Sequence, residues 1–556
     1  MKQLVEDITK KALFKLFKSG GISKGPKDLP EFDVSRSKDP KFGDFATNAA
    51  LVLSKELKTK PRDLAAMLIN SIDLESTDIE RCEVAGPGFI NFFMKPNCWY
   101  NRLMLVHEHK DRYGHKKELS GPRVLVEFVS ANPTGPLHVG HGRGAAVGDS
   151  LVRLLRAAGW NVDSEYYVND IGNQMNILGR SLWFRFRQLQ GEEIEFPENH
   201  YQGDYMKELA VEFANSPETQ QIRNLDEPEC ILLASRYACR RILDGIQEDL
   251  SLFGVSYDKY FSERYLHESG RLQAALEKLK QLGKAEERDG ALWFFMDDDQ
   301  DEKDRVLVRA TGEPTYFASD VAYHTEKIER GYDLLVDIWG SDHHGYVPRV
   351  KAAIEAFGFP SDRLKVLLVQ FVNLIRDGQK ISMSTRSGEF ITLREVLDEV
   401  GSDAARFFFL TKRSDSHLDF DLDLAKKQSS DNPVYYVQYA HARISSIFRI
   451  AQEKGIDADY TNADLNILNL PEEIALMKKL SDFPDVLSEA AQALEPHRIT
   501  FYLMELAELF HSYYHDNKVL TEDAEVKKAR LFLVEAIRLV ISNGLTILGV
   551  SSPVRM

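Results

Sequence analysis

Cysteine is scarce. The chain has four in 556 residues (Cys82, Cys98, Cys230 and Cys239), none in a C-x-x-C pair, which sets aside a disulfide scaffold, a zinc ribbon and a dithiol redox site. Long hydrophobic runs are lacking too: no apolar stretch approaches the roughly 20 residues that cross a bilayer. The opening Met1-Lys2-Gln3-Leu4-Val5-Glu6-Asp7 puts charges where a secretory leader is apolar. These features predict a cytoplasmic protein with reduced thiols, no membrane and no structural metal. No fixed-period repeat or low-complexity tract occurs, so solenoids and arrays are excluded. Positive charge is in deficit, since 70 Lys and Arg face 86 Asp and Glu for a formal −16. That discourages nucleic-acid binding but does not exclude it, because an acidic total can hide a local basic surface.

What is present is an ordinary globular composition, 43% hydrophobic, 28% charged and 10% aromatic, in a chain long enough for several domains. Residues 1–110 open with Leu4, Ile8, Leu13, Leu16 and Phe17 at helical spacing. They close on the turn-and-strand run Val84 to Phe93, which predicts a small α+β unit, and His107 to Gly121 reads as a linker. From Val124 the grammar becomes βα alternation. Val124-Leu125-Val126-Glu127-Phe128-Val129, then Leu334 to Trp339, then Leu364 to Val372 read as buried parallel strands. A doubly wound, Rossmann-like parallel sheet over 120–385 is expected, with an inserted subdomain at about 180–306. The acidic run Asp297 to Asp304 reads as a solvated loop. Residues 386–430 read as a helical connection, and 431–556 as an all-α bundle punctuated by Pro471, Pro484 and Pro496.

The sharpest motif is Ser130-Ala131-Asn132-Pro133-Thr134-Gly135-Pro136-Leu137-His138-Val139-Gly140-His141-Gly142, running from a strand end into a helix start, where open α/β sheets bind ligands. His138 and His141 share one helical face at the positive end of the helix dipole, where donors meet phosphate. Gly140 between them lets a flat base approach the backbone. Glu127 interrupts an apolar strand; it is either a ligand for a cation or a buried ion-pair partner. Tyr316 and Asp320 lie one helical turn apart, Tyr316 serving either the site or the core. Trp339-Gly340-Ser341-Asp342-His343-His344-Gly345 follows another strand. Its adjacent histidines would point to opposite sides of an extended segment, which argues against zinc.

The string Glu127 to Arg143 resembles the extended signature of the class I aminoacyl-tRNA synthetases and, within them, of the arginyl-tRNA synthetases. Gly43-Asp44-Phe45-Ala46-Thr47-Asn48 and Asp431 to Arg443 are similar to the same family, so the likeness spans the chain. It implies that arginine and ATP form arginyl-adenylate and pyrophosphate, and that arginine then passes to the terminal adenosine of tRNA(Arg). ATP would come with Mg2+ and no dedicated protein metal site. The resemblance implies an ATP site of His138, Gly140, His141, Asp342, His343, Met383 and Ser384. It implies an arginine pocket of Glu127, Ser130, Asn132, His141, Tyr316, Asp320 and Asp342. The guanidinium, planar and rich in donors, calls for carboxylates. The family's second signature, K-M-S-K-S, matches Ser382-Met383-Ser384-Thr385 without its lysines; Lys380 and Arg386 are the candidate replacements for phosphate stabilisation. Phe42, Asp44 and Asn48 in the first unit, and Tyr435, Tyr439, Arg443 and Arg449 in the bundle, are candidate tRNA contacts by stacking and charge. Each has a packing or capping alternative. A monomer is expected. The missing lysines also allow a catalytically impaired RNA-binding paralogue, and the H-x-G-H string alone would allow another nucleotidyltransferase.

Overall fold

The computed structural model describes residues 1–556 apart from 26–28, 38, 117–118, 297–303 and 382–390. The apolar run after Pro122 forms β1 (Arg123–Phe128), the middle strand of a five-stranded parallel sheet. The others are β2 (Asn161–Val168), β3 (Lys259–Ser262), β4 (Leu334–Gly340) and β5 (Leu364–Val369). Their order is β5-β4-β1-β2-β3. The chain winds outward from β1 through β2 to β3, then crosses to β4 and β5. Strand order therefore reverses between β1 and β4, and a crevice opens at their carboxyl ends. The helix after β1, α1 (Val139–Ala157), lies close on the sheet because Gly148 faces Phe128. A Cβ at 148 would sit 2.2 Å from that ring.

The region read as one insertion, 180–306, is divided. Helices Asn173–Leu189, Asp204–Ala214 and α2 (Glu227–Leu252) come first. The chain then returns to the central sheet as β3 and leaves again for a three-stranded antiparallel sheet, Ala285–Arg288, Ala291–Phe294 and Arg305–Val308. Four residues, Lys-Tyr-Phe-Ser, are too few for a period to betray β3 in the sequence. The acidic run, except Asp304, falls outside the described residues. Helix α3 (Tyr316–Glu329) precedes β4.

The strand expected over 364–372 is two. β5 ends at Val369, and Val372–Arg376 begins a second sheet with Gln379–Lys380, antiparallel, and Leu418–Asp421, parallel. Residues 386–430 are therefore not purely helical. Helices Leu393–Val400 and Ser402–Phe409 precede a strand too short to read from pattern. The first unit has the expected α+β form: helices Lys2–Lys18 and Pro61–Ser71 accompany a four-stranded antiparallel sheet. In place of the start of the expected linker, helix Pro96–His109 packs against the bundle.

That bundle comprises α4 (Pro433–Glu453), α5 (Pro471–Ala493), α6 (His497–Asp516) and α7 (Ala524–Leu548). By length and composition α7 could cross a membrane, contrary to the sequence reading, but 67% of its apolar window is buried. Core packing accounts for its apolarity.

Two buried arginines tie α1 to the carboxyl-terminal half. Arg143 donates to the carbonyls of Gln370 (2.9 Å), Arg413 (2.8 Å) and Ser416 (2.8 Å). Arg406 donates to the Leu548 carbonyl at the end of α7 (2.8 Å), to the Phe253 carbonyl (3.0 Å) and to Asp149 of α1. Gly549, at φ +67°, lies against that guanidinium; a Cβ there would meet it at 2.3 Å.

Candidate active site

The crevice at the switch point holds about 450 Å³ and is lined by residues from β1, α1, α3, β4 and the segments that follow the strands. His138 and His141 sit at its α1 edge. Each ring accepts the other residue's backbone N–H through Nδ1 at 3.3 Å, a reciprocal helix cap. The rings stack with centroids 3.6 Å apart and planes 14° from parallel. Because both Nδ1 atoms accept, each neutral ring carries its proton on Nε2. Burial lowers the pKa of His138 and takes His141 down to about 3, the neighbouring ring adding to the effect. Gly140 has a role that sequence reading missed: a Cβ there would meet the His138 ring at 3.0 Å, so the glycine makes room for the histidine pair. Gly144, one turn on, also lines the crevice and has nothing within 4 Å of an added Cβ.

Between β1 and the signature loop, Val129 and Ser130 are both left-handed, at φ +67° and +41°. This is a strained conformation for non-glycine residues and rarest for a β-branched one. It turns Ser130 back on the strand. The Ser130 hydroxyl donates to Glu127 Oε1 at 2.8 Å and accepts the Tyr167 N–H at 3.1 Å. Ser130 lines the crevice with its proton already committed.

Register explains the charges beneath. Glu165, Glu127 and Asp337 are paired neighbours across β2, β1 and β4, so three carboxylates form a row on the sheet. α3, with Arg330 just past its end, lays basic side chains over it. Arg330 grips Glu165 with two hydrogen bonds (2.6 and 2.8 Å), Lys327 bridges Glu127 and Asp337 (2.9 Å to the latter), and His324 Nε2 is 2.7 Å from Asp337. Burial opposes these charges. At Asp337, lowered to about 2, and at Lys327, raised, the ion pairs outweigh it, whereas at Glu127 burial is the larger effect and raises the pKa against the pull of Lys327. Of the two readings of Glu127, the ion-pair partner is the one found, and its carboxyl lies at the crevice floor.

Asp320 begins the same face of α3 and opens into the crevice. Burial raises its pKa; the Tyr346 hydroxyl, which donates to Oδ2, opposes that rise. Asn132 is exposed at the rim, as are Asp342 and His343, which are 3.6 Å apart. Those two stand on a short 3-10 helix, Ser341–Tyr346, not the extended segment expected; His344 faces a different surface, its Nδ1 3.2 Å from the Ser341 carbonyl. Tyr316 is 51% exposed and does not line the crevice, although it lies one turn before Asp320. Sequence reading gave no crevice role to Tyr167, Trp339, Tyr346, Gln370 and Phe371, all crevice-lining. Trp339 opens the motif quoted above and Tyr346 adjoins it. Tyr167 lies in Tyr166 to Gln174, a segment also similar to the family and readable either as a path for the acceptor end or as a structural loop; Gln370 and Phe371 had no local signal.

Met383, Ser384 and Arg386 lie outside the described residues, but both flanks of their segment are held. Ile381 donates its N–H to the Leu374 carbonyl (2.9 Å) and Leu393 to the Leu137 carbonyl (2.7 Å). Lys380 is exposed, 3.5 Å from Asp419. Of the candidate RNA contacts, Phe42 is 51% exposed. Asp44 is a correction: it is buried, accepts the Met94 N–H at 2.8 Å and pairs with Lys478 of α5, so its carboxylate is spent on joining two units. Asn48 is partly buried and accepts the Asp33 N–H at 2.8 Å. On α4, Tyr435 and Tyr439 stack at 5.6 Å, with Arg443 4.6 Å over Tyr439. Tyr439, Arg443 and Arg449 line a groove with Arg555.

Comparison with known proteins bears on this geometry. Residues 2–94 match the family described as arginyl tRNA synthetase N terminal domain. Residues 102–445 match tRNA synthetases class I (R), catalytic domain, and 437–556 match the DALR anticodon binding domain. The arginine–tRNA ligase of Syntrophotalea carbinolica is 50% identical over 557 residues, covering 100% of both chains; that of Desulfosudis oleivorans is 50% identical over 559, again covering both completely. The structure of Thermus thermophilus arginyl-tRNA synthetase has a TM-score of 0.79 at 24% identity, covering 100% of each chain, a likeness of fold.

Proposed function

Because this chain belongs to the arginyl-tRNA synthetases of class I, its activity is the charging of tRNA with arginine, and we propose that the switch-point crevice is where arginine meets ATP. The observation that carries the assignment is the ladder on α3. Arg330, Lys327 and His324 meet the row Glu165, Glu127 and Asp337, and the next acidic position toward the crevice, Asp320, has a tyrosine hydroxyl in place of a basic side chain. The guanidinium of the substrate is the cation that completes the series. Asn132 serves the α-amino and carboxylate end, and Asp342 and His343, on the 341–346 segment, serve the substrate amino group and the adenosine; Tyr316, outside the crevice lining, takes no part in the pocket.

ATP, brought as its magnesium complex, takes the α1 side. There Gly144 leaves room for its flat base and sugar, and the Nε2–H groups of His138 and His141 donate to phosphate oxygens. Both rings are neutral at pH 7, so they act as oriented donors and not as charges. The arginine carboxylate attacks the α-phosphate and pyrophosphate leaves, with Lys380 and Arg386 as cationic help for the departing charge. The 2′-hydroxyl of the tRNA terminal adenosine then attacks the arginyl carbonyl of the adenylate, giving up its proton as the anhydride bond breaks and AMP leaves. Enzyme nucleophiles play no part; the chain supplies position and oriented dipoles.

We assign residues 1–110, with Phe42 exposed, to the outer corner of the folded tRNA, and 431–556 to the anticodon, with stacking on Tyr435 and Tyr439 and charge from Arg443 and Arg449. The enzyme works as a monomer in the cytoplasm. Replacing His138 by Ala is expected to slow adenylate formation about a hundredfold while the ATP dissociation constant changes little, because the donation strengthens in the transition state. Single-turnover adenylation reads the rate, and an unchanged rate refutes the role.

A further inference from the structure

Tyr346 closes the 3-10 helix Ser341–Tyr346, the segment that also carries Asp342 and His343. Its hydroxyl donates to Asp320 Oδ2 on α3. Its ring is held by Phe317 (6.2 Å, 82° between planes) and Trp339 (6.1 Å, 52°), and the Arg349 guanidinium lies 5.7 Å from it. One side chain thus bridges the loop at the nucleotide side of the crevice and the carboxylate at the arginine side. A carboxylate can accept about four hydrogen bonds, so Tyr346 orients Asp320 without exhausting it. A carboxylate already fixed in one rotamer loses less freedom when a planar guanidinium docks against it.

We propose that Tyr346 is a positioning residue for arginine recognition, fixing Asp320 and joining it to the 341–346 segment so that arginine and ATP bind with coupled affinity. The inference rests on the reading of Asp320 as the guanidinium anchor. The coupling is reciprocal: whatever factor ATP adds to arginine affinity, arginine adds to ATP affinity.

The test uses the full-length enzyme in complete aminoacylation, with calorimetric titration of arginine in the presence and absence of a non-hydrolysable ATP analogue. Tyr346→Phe is expected to raise the arginine KM about tenfold, the worth of one hydrogen bond to a charged group, with kcat within about twofold. The calorimetric enhancement of arginine binding by the analogue should vanish in that variant. Asp320→Asn should raise the arginine KM further, and adding Tyr346→Phe to it should change nothing more. An unchanged arginine KM in Tyr346→Phe beside a raised one in Asp320→Asn overturns the inference alone, as does full retention of the enhancement by the analogue. Equal rises in the arginine and ATP KM with a lowered Tm would assign Tyr346 to packing and also overturn it. An unchanged arginine KM in Asp320→Asn would instead remove the anchor reading, and the inference with it.

Discussion

Each imidazole of the signature pair spends Nδ1 on the other's backbone amide, so capping the helix and setting the tautomer are one event. The cost appears in acid. Burial takes His141 from its ordinary 6.5 to about 3, so the folded chain holds a neutral ring where the unfolded chain binds a proton. The associated stability is complete above pH 6.5 and is lost progressively as pH falls toward 3. His141→Ala removes the cap and is expected to cost about 1 kcal/mol at pH 7. Because the variant also loses the titration, the gap to the parent should narrow by pH 5, as urea unfolding at the two pH values would register. At this scale the sequence was informative where neighbours in the chain are neighbours in space: His138, Gly140 and His141 were all legible. Tyr346 meeting Asp320 and Lys478 meeting Asp44 were not, since each joins segments whose approach only the tertiary packing decides.

Along α1 two glycines four residues apart divide the labour of the element. Gly148 faces Phe128 with no space for a methyl group, whereas Gly144 faces the crevice with nothing near. Gly148→Ala is expected to destabilise the protein by about 1–3 kcal/mol through overpacking, seen as a fall in Tm. Gly144→Ala should leave Tm in place and raise the ATP KM. The βα alternation was readable because buried parallel strands are long and apolar. β3 and Leu418–Asp421 escaped because strands of four residues offer no period. The polar ladder was half visible: Glu127 stood out in an apolar run, but its alignment with Glu165 and Asp337 depends on strand register, which local pattern does not contain.

Over the whole molecule, Arg406 gathers α1, the turn after α2 and the end of α7 at one buried guanidinium. Gly549→Ala would place a Cβ against it in a left-handed position, with a backbone cost of about 1–2 kcal/mol before the clash. The expected result is a lower Tm together with loss of aminoacylation, read by calorimetry and charging assay on the same preparation. Arg143 does a similar service nearer the histidines, anchoring them to the chain at Gln370, Arg413 and Ser416. The bundle's last turn and the imidazole pair are consequently opposite ends of one lever. A tilt of α7, whether from a substitution or from a docked partner, would reach α1 through the Arg406 guanidinium, and through α1 the two imidazoles at its first turn.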